Sequence, residues 1–178
     1  MTAFSSSLVL HAPVSRLPDP RLAGMRVLVA DDSRYMRQLL KAMLQGIGVG
    51  HIVEAEDGSA ALRILAREMI HLVFVDMMMA PIDGIELCRK VREDPFSPDR
   101  SVPIVMVTGY TDAPRIRRAR DAGVNEIMAK PVSLDAVYKR VLAVFERPRP
   151  FIAARHYAGP DRRRTGHFHA GPERRDRS

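Results

Sequence analysis

Only one cysteine occurs among the 178 residues. No disulfide can close within the chain, and a reducing compartment is the expectation. There is no run of about 18 apolar residues, which excludes an ordinary membrane-spanning helix. Ahead of LVLHAPV (8–14) there is no charged segment, and His11 and Pro13 interrupt it. A secretory leader is therefore not expected, and a cytoplasmic location is. Neither a GxxxxGK[ST] phosphate loop nor a GxGxxG turn is present, which disfavours nucleotide binding. No internal repeat is visible, and the residues after Glu146 lack both helix-turn-helix periodicity and a catalytic constellation. A following effector domain is not expected from them.

The net charge of +7 is unevenly placed. Residues 25–145 hold 17 basic and 16 acidic side chains, whereas residues 146–178 hold nine arginines and four acids. The high pI thus describes the C-terminal extension and says little about the part that folds.

Four apolar runs end in polar residues: MRVLVA (25–30) before Asp31-Asp32, HLVFVD (71–76) ending on Asp76, PIVMVT (103–108) ending on Thr108, and NEIMAK (125–130) ending on Lys130. Continuous runs of this kind mark parallel strands buried on both faces. Between them the spacing is helical. Ser33 precedes Met36, Leu39, Leu40, Met43 and Leu44; Asp57-Gly58 turns into ALRILAREM; Ile85, Leu87, Cys88 and Val91 follow Asp83-Gly84; Pro114 opens a fourth helix; and Ser133 caps a fifth. With HIVEA (51–55) as a further strand, five strands alternate with five helices, implying a parallel sheet covered on both sides. The strand tips of such a sheet share one rim, where ligands bind. Three carboxylates, a hydroxyl and an ammonium gather there, in outline a site for a cation and a phosphoryl group. Beyond Glu146, Pro148, Pro150, Pro160 and Pro172 mix with Gly and Arg. Residues 1–24 and 147–178 are therefore predicted to be flexible extensions of a domain spanning 25–146.

The motifs VLVADDS (27–33), VEAEDGSAAL (53–62), VFVD…IDG (73–84), IVMVTG (104–109) and AKP (129–131) resemble the receiver domain of two-component response regulators. The successive separations along Asp32, Asp76, Thr108 and Lys130, of 44, 32 and 22 residues, are similar to those of that family. The resemblance implies a flavodoxin-like fold with strand order 2-1-3-4-5. It also implies a signalling protein rather than an enzyme, with Asp76 as phosphoacceptor. Asp31, Asp32, Asp76 and the Met78 carbonyl would hold Mg²⁺, Thr108 would bond the phosphoryl oxygens, and Lys130 would neutralise them beside a cis bond to Pro131. The partners implied are a sensor histidine kinase or histidine phosphotransfer protein and a downstream protein target. These roles agree with elementary chemistry, because a carboxylate attacking an anionic phosphodonor needs a hard cation and an ammonium to relieve repulsion.

Some positions depart from the family pattern. Ile127 stands where an aromatic switch residue is usual, leaving the threonine–aromatic switch missing or rewired, with Tyr110 as a substitute. Pro81 is displaced by one residue. Met78 and Tyr110 occupy the positions that tune hydrolysis of the acyl phosphate, and their bulk predicts a long-lived phosphorylated state. Met77–Met79 suits packing better than soft-metal binding, since three consecutive residues cannot face one point. Cys88 reads as core, Asp57 and Asp83 as turn residues, and the arginines of 115–120 as a largely solvated face. In the extension, FIAARHYAGPDRRR (151–164) interleaves aromatics with arginine. A PDRRR-type extension accompanies some alphaproteobacterial receivers. Contact with nucleic acid, with an acidic protein surface or with the domain itself, and a merely solubilising tail, all remain open. A phosphohydrolase of the haloacid dehalogenase type is disfavoured, because Met78 stands where its second acid belongs.

Overall fold

The computed structural model describes residues 18–154 and 157–162. Five parallel strands form the sheet: β1 (Arg26–Ala30), β2 (His51–Ala55), β3 (Leu72–Asp76), β4 (Ile104–Thr108) and β5 (Glu126–Ala129), in the order β2-β1-β3-β4-β5. Every residue of β3 and β4 is buried, as continuous apolar runs require. Successive side chains alternate between two cores. Leu28, Val73, Val75, Ile104 and Met106 face one side, and Val27, Val29, Phe74, Val105 and Val107 face the other.

Helices cover both faces. On the first side lie α2 (Gly58–Leu65), α3 (Gly84–Glu93) and α4 (Ala113–Asp121), contributing Ala61, Leu87, Cys88, Val91 and Ala119. On the second lie α1 (Arg34–Gly46) and α5 (Leu134–Glu146), contributing Leu40, Leu44, Val137 and Val141. Each fully buried leucine or valine contributes about 1.5–3 kcal/mol of transfer free energy. A side-chain oxygen caps each helix: Ser33, Asp57, Asp83, Asp112 and Ser133 accept from the backbone N–H three residues on. The expected caps Ser33 and Ser133 are present, and the turn residues Asp57 and Asp83 prove to be caps as well.

Among the described residues, short parts of both extensions carry regular structure. At the N-terminal side, Pro20–Leu22 form a 3₁₀ turn whose Leu22 is fully buried in the α1–α5 core. Asp19 is also buried; it accepts from Arg21 and from the Tyr138 hydroxyl at 3.3 Å, and Arg21 pairs with Glu146 at 2.9 Å. Residues 1–17 lie outside the described residues.

Past α5, β6 (Phe151–Ala154) and β7 (Tyr157–Pro160) pair antiparallel as a hairpin folded back on the receiving sheet's far end. Polar and aromatic contacts hold it there. Arg149 reaches Glu126 at 3.4 Å, Arg162 reaches Asp121 at 3.1 Å, and the Arg92 guanidinium lies 5.9 Å from the Phe151 ring centre. Gly123, at φ +90°, lets the Ala158 carbonyl approach where a Cβ would sit. Ion pairs and a ring contact hold this hairpin more than apolar burial does. The remainder, 163–178, lies outside the described residues.

Candidate functional site

The four polar signals end neighbouring strands. Asp31 follows β1, Asp76 closes β3, Thr108 closes β4 and Lys130 follows β5. Strands β1 and β3 are adjacent, so their two aspartates stand side by side. Lys130 must cross β4, roughly 10 Å in all, to reach them. Its Nζ lies 2.6 Å from Asp76 Oδ1 and 3.2 Å from Asp31 Oδ2. Both acids are buried, at 6% and 1% exposure. The Lys130–Pro131 bond is cis, as the motif implied, and Ala80–Pro81 is cis too.

Local backbone geometry fixes each group. Asp31 Oδ1 accepts from the Ser33 N–H at 2.8 Å, and Asp76 Oδ2 accepts from the Met78 N–H at 2.8 Å. Gly84 packs its α-carbon against the Asp76 carbonyl, where any Cβ would collide, so the loop after β3 folds directly over the strand end. Burial pushes the Asp76 carboxyl above the usual carboxylate range; Lys130 draws it part of the way back, and the Asp31 charge adds to the rise. Burial also opposes the Lys130 charge, but Asp76 and Asp31 outweigh it and hold the ammonium above its ordinary pKa.

Not every expected group converges. Asp32 is exposed, and among the described residues no three acidic, histidine or cysteine side chains are grouped to hold a metal. Of the three acids, Asp31 and Asp76 are buried and Asp32 is exposed. Consecutive residues leaving a strand point opposite ways, and Asp31 takes the inward position. The Thr108 hydroxyl is buried and engaged locally. It accepts from the Tyr110 N–H at 2.9 Å, donates to the Tyr110 carbonyl at 3.2 Å and lies 3.4 Å from the Met77 sulfur. The Tyr110 ring in turn carries the Arg115 guanidinium at 4.1 Å from its centre. Ile127 is half-buried against the α2–α4 core.

Met77 and Met79 are buried and Met78 is half exposed, so the three methionines diverge. Cys88 is core; burial pushes its thiol up to about 11, which leaves it unreactive. Sequence reasoning missed Arg92. Although charged, it is 1% exposed and donates to the carbonyls of Gly123 and Arg100 and to Asn125 Oδ1. No signal in the helical pattern of 84–93 distinguishes it from its solvated neighbours.

A profile of the response regulator receiver domain matches residues 27–142. The chain belongs to that family. This receiver is 32% identical over 123 residues to the chemotaxis protein CheY of Pseudomonas aeruginosa, a match covering 69% of this chain and 98% of that protein. It is likewise 32% identical over 130 residues to the response regulator MprA of Mycobacterium leprae, covering 73% of this chain and 55% of that one. Among solved structures, a putative response regulator from Chloroflexus aurantiacus superposes with a TM-score of 0.64 at 28% identity, covering 69% and 98% of the two chains. CheY of Borrelia burgdorferi, solved in a complex with CheX, BeF3 and Mg²⁺, gives 0.62 at 24% identity, covering 68% and 89%. The hairpin of 151–160 lies beyond the span that the family profile matches.

Proposed function

We propose that this receiver accepts a phosphoryl group on Asp76 from a phosphohistidine of a sensor kinase or phosphotransfer protein, and signals through a downstream protein. The observation that carries this reading is Lys130 Nζ shared between two buried aspartates on adjacent strands, 2.6 and 3.2 Å away. Two buried carboxylates facing one ammonium leave a surplus negative charge, which suits a hard cation with oxygen ligands. Asp31 and Asp76 would hold Mg²⁺, with Asp32 and the Met78 carbonyl joining by family likeness. The bound cation would supply charge neutralisation between the incoming phosphoryl oxygens and the aspartates.

The chain's own groups do the rest. Asp76 donates an electron pair to phosphorus, the P–N bond to the donor imidazole breaks, and the imidazole nitrogen takes up a proton. Lys130, fixed by Asp31, stays beside the acquired charge without reorganising. For Thr108 to bond a phosphoryl oxygen, its hydroxyl must leave the Tyr110 carbonyl. That exchange would move Tyr110 and the α4 residue Arg115 stacked on it, shifting a two-state equilibrium toward a form with altered partner affinity.

The arginine tail as a nucleic-acid reader has weaker support, since Arg149 and Arg162 are engaged by Glu126 and Asp121. Radiolabelled acetyl phosphate with Mg²⁺ tests the main reading. The wild-type chain should take up label and Asp76→Asn none; equal labelling of the variant would refute Asp76 as acceptor.

A further inference from the structure

Arg37 stands at the end of the first turn of α1, where the helix dipole disfavours a cation. Its side chain nonetheless turns back toward the start of the helix and is 14% exposed. The guanidinium nitrogen Nη1 donates to the Asp31 carbonyl at 2.8 Å and to the Asp32 carbonyl at 3.3 Å. A second nitrogen, Nε, lies 3.6 Å from Glu54 Oε2 on β2. Glu54 is itself fixed by Lys41 at 2.8 Å and Gln38 at 3.2 Å.

These contacts bear on the exposed acid of the site. Two peptides flank the Asp32 α-carbon, and their carbonyls, those of Asp31 and Asp32, both accept from Arg37. The rest of the segment is bonded elsewhere: the Asp31 N–H donates to the Ala55 carbonyl at 3.2 Å, and the Ser33 N–H to Asp31 Oδ1 at 2.8 Å. The Asp32 carboxylate makes no hydrogen bond or ion pair among the described residues. Its direction is therefore set by the backbone on either side of it, and one guanidinium grips that backbone.

We propose that Arg37 is a positioning residue of the phosphorylation site: steered by Glu54, it holds both peptides flanking Asp32 and so presents that exposed carboxylate to the divalent cation. The proposal rests on the reading of Asp31, Asp32 and Asp76 as ligands of Mg²⁺. Partners that orient a metal's ligands contribute strongly to its affinity, because a ligand already in place loses little freedom on binding. Arginine suits the task, since its planar fork serves two carbonyls with one nitrogen and a carboxylate with another. The Glu54 charge pairs with the guanidinium, which tempers its repulsion of a cation bound nearby.

Mg²⁺ titration of the full chain, followed through the amide shifts of Asp32, Asp76 and Met78, tests it. Arg37→Met keeps most of the stem and should weaken cation binding roughly tenfold. Arg37→Lys should recover part of that loss, and Glu54→Gln should weaken binding by less than Arg37→Met does. Arg26→Met breaks the ion pair with Glu68 at the other end of β1 and controls for lost stability; its Mg²⁺ affinity should match wild type. Labelling by acetyl phosphate separates positioning from chemistry. At saturating Mg²⁺ the Arg37→Met chain should label within about twofold of the wild-type rate, and at low Mg²⁺ it should lag. Wild-type Mg²⁺ affinity in Arg37→Met, equal weakening in Arg26→Met, or a labelling defect that saturating Mg²⁺ leaves in place would each overturn the proposal. A wild-type chain that binds no Mg²⁺ would instead overturn the cation reading of the site, and this proposal with it.

Discussion

Lys130 serves two acids at once, and the consequences can be separated residue by residue. Burial and the Asp31 charge raise the Asp76 pKa, and Lys130 opposes them. Lys130→Met keeps most of the stem and deletes the charge, so the Asp76 carboxyl should titrate at higher pH than in wild type; NMR of the labelled side-chain carboxyl reads this directly. Phosphorylation by acetyl phosphate should slow by roughly a hundredfold in the same variant, the scale of losing one preorganised electrostatic contact. Met78 offers no polar group to a water attacking the acyl phosphate. Met78→Asn should therefore shorten the life of the phosphorylated chain by roughly tenfold, by orienting that water, as followed by loss of radiolabel in Mg²⁺ buffer. At this scale Asp76, Lys130 and Thr108 were legible in the sequence because each ends an apolar run. That Asp32 stays at the rim was not, since two adjacent acids look alike until the strand's direction assigns one to the inside.

The elements divide by what holds them. The five strands of the parallel sheet and most of the helices were readable from apolar spacing, because burial against a sheet imposes that spacing directly, while α4 was marked by Pro114 in its first turn. The hairpin was unreadable by the same test, since it docks through Arg149–Glu126, Arg162–Asp121 and the Arg92–Phe151 contact. Asp19–Leu22 escaped for a related reason: one buried leucine and one capped aspartate make no period. Arg92 is the residue on which α3, the segment leading into β5 and the hairpin converge. Arg92→Met would leave the Gly123 and Arg100 carbonyls without their side-chain donor and the Asn125 side-chain oxygen with the Ile104 N–H alone. The expected cost is about 1–3 kcal/mol per acceptor that water fails to reach. Urea unfolding should show the loss, and amide exchange should speed at Ala158 and Gly159 before it does so in β3. If exchange in the hairpin is unchanged, Arg92 supports α3 alone.

For the whole molecule, the site's electrostatics set how stability depends on pH. Asp76 has a folded pKa above that of the unfolded chain, so within the window between the two values the folded state binds more protons. Unfolding free energy from this group therefore falls as pH rises through that window and is level above it. Glu54 acts in the opposite sense. Its hydrogen bond from Lys41 holds the carboxyl below the usual range, so its contribution is full above the unfolded value and is lost as pH falls through the folded one. Lys130, held above its ordinary pKa, contributes fully at neutral pH and loses its contribution only as pH rises through the folded value. Comparing Asp76→Asn with wild type isolates the first effect. The variant's stability relative to wild type should climb as pH rises from the ordinary carboxylate value to the raised one, then stay constant, as measured by thermal melts across the acidic range. Mg²⁺ should reverse the ranking at neutral pH. A cation held by Asp31 and Asp76 stabilises only the folded chain, by about 2.7 kcal/mol at a hundredfold excess over its Kd. The wild-type melting temperature should therefore rise with Mg²⁺ while that of Asp76→Asn moves little. Equal shifts in both would place the cation elsewhere and remove Asp76 from its ligand set.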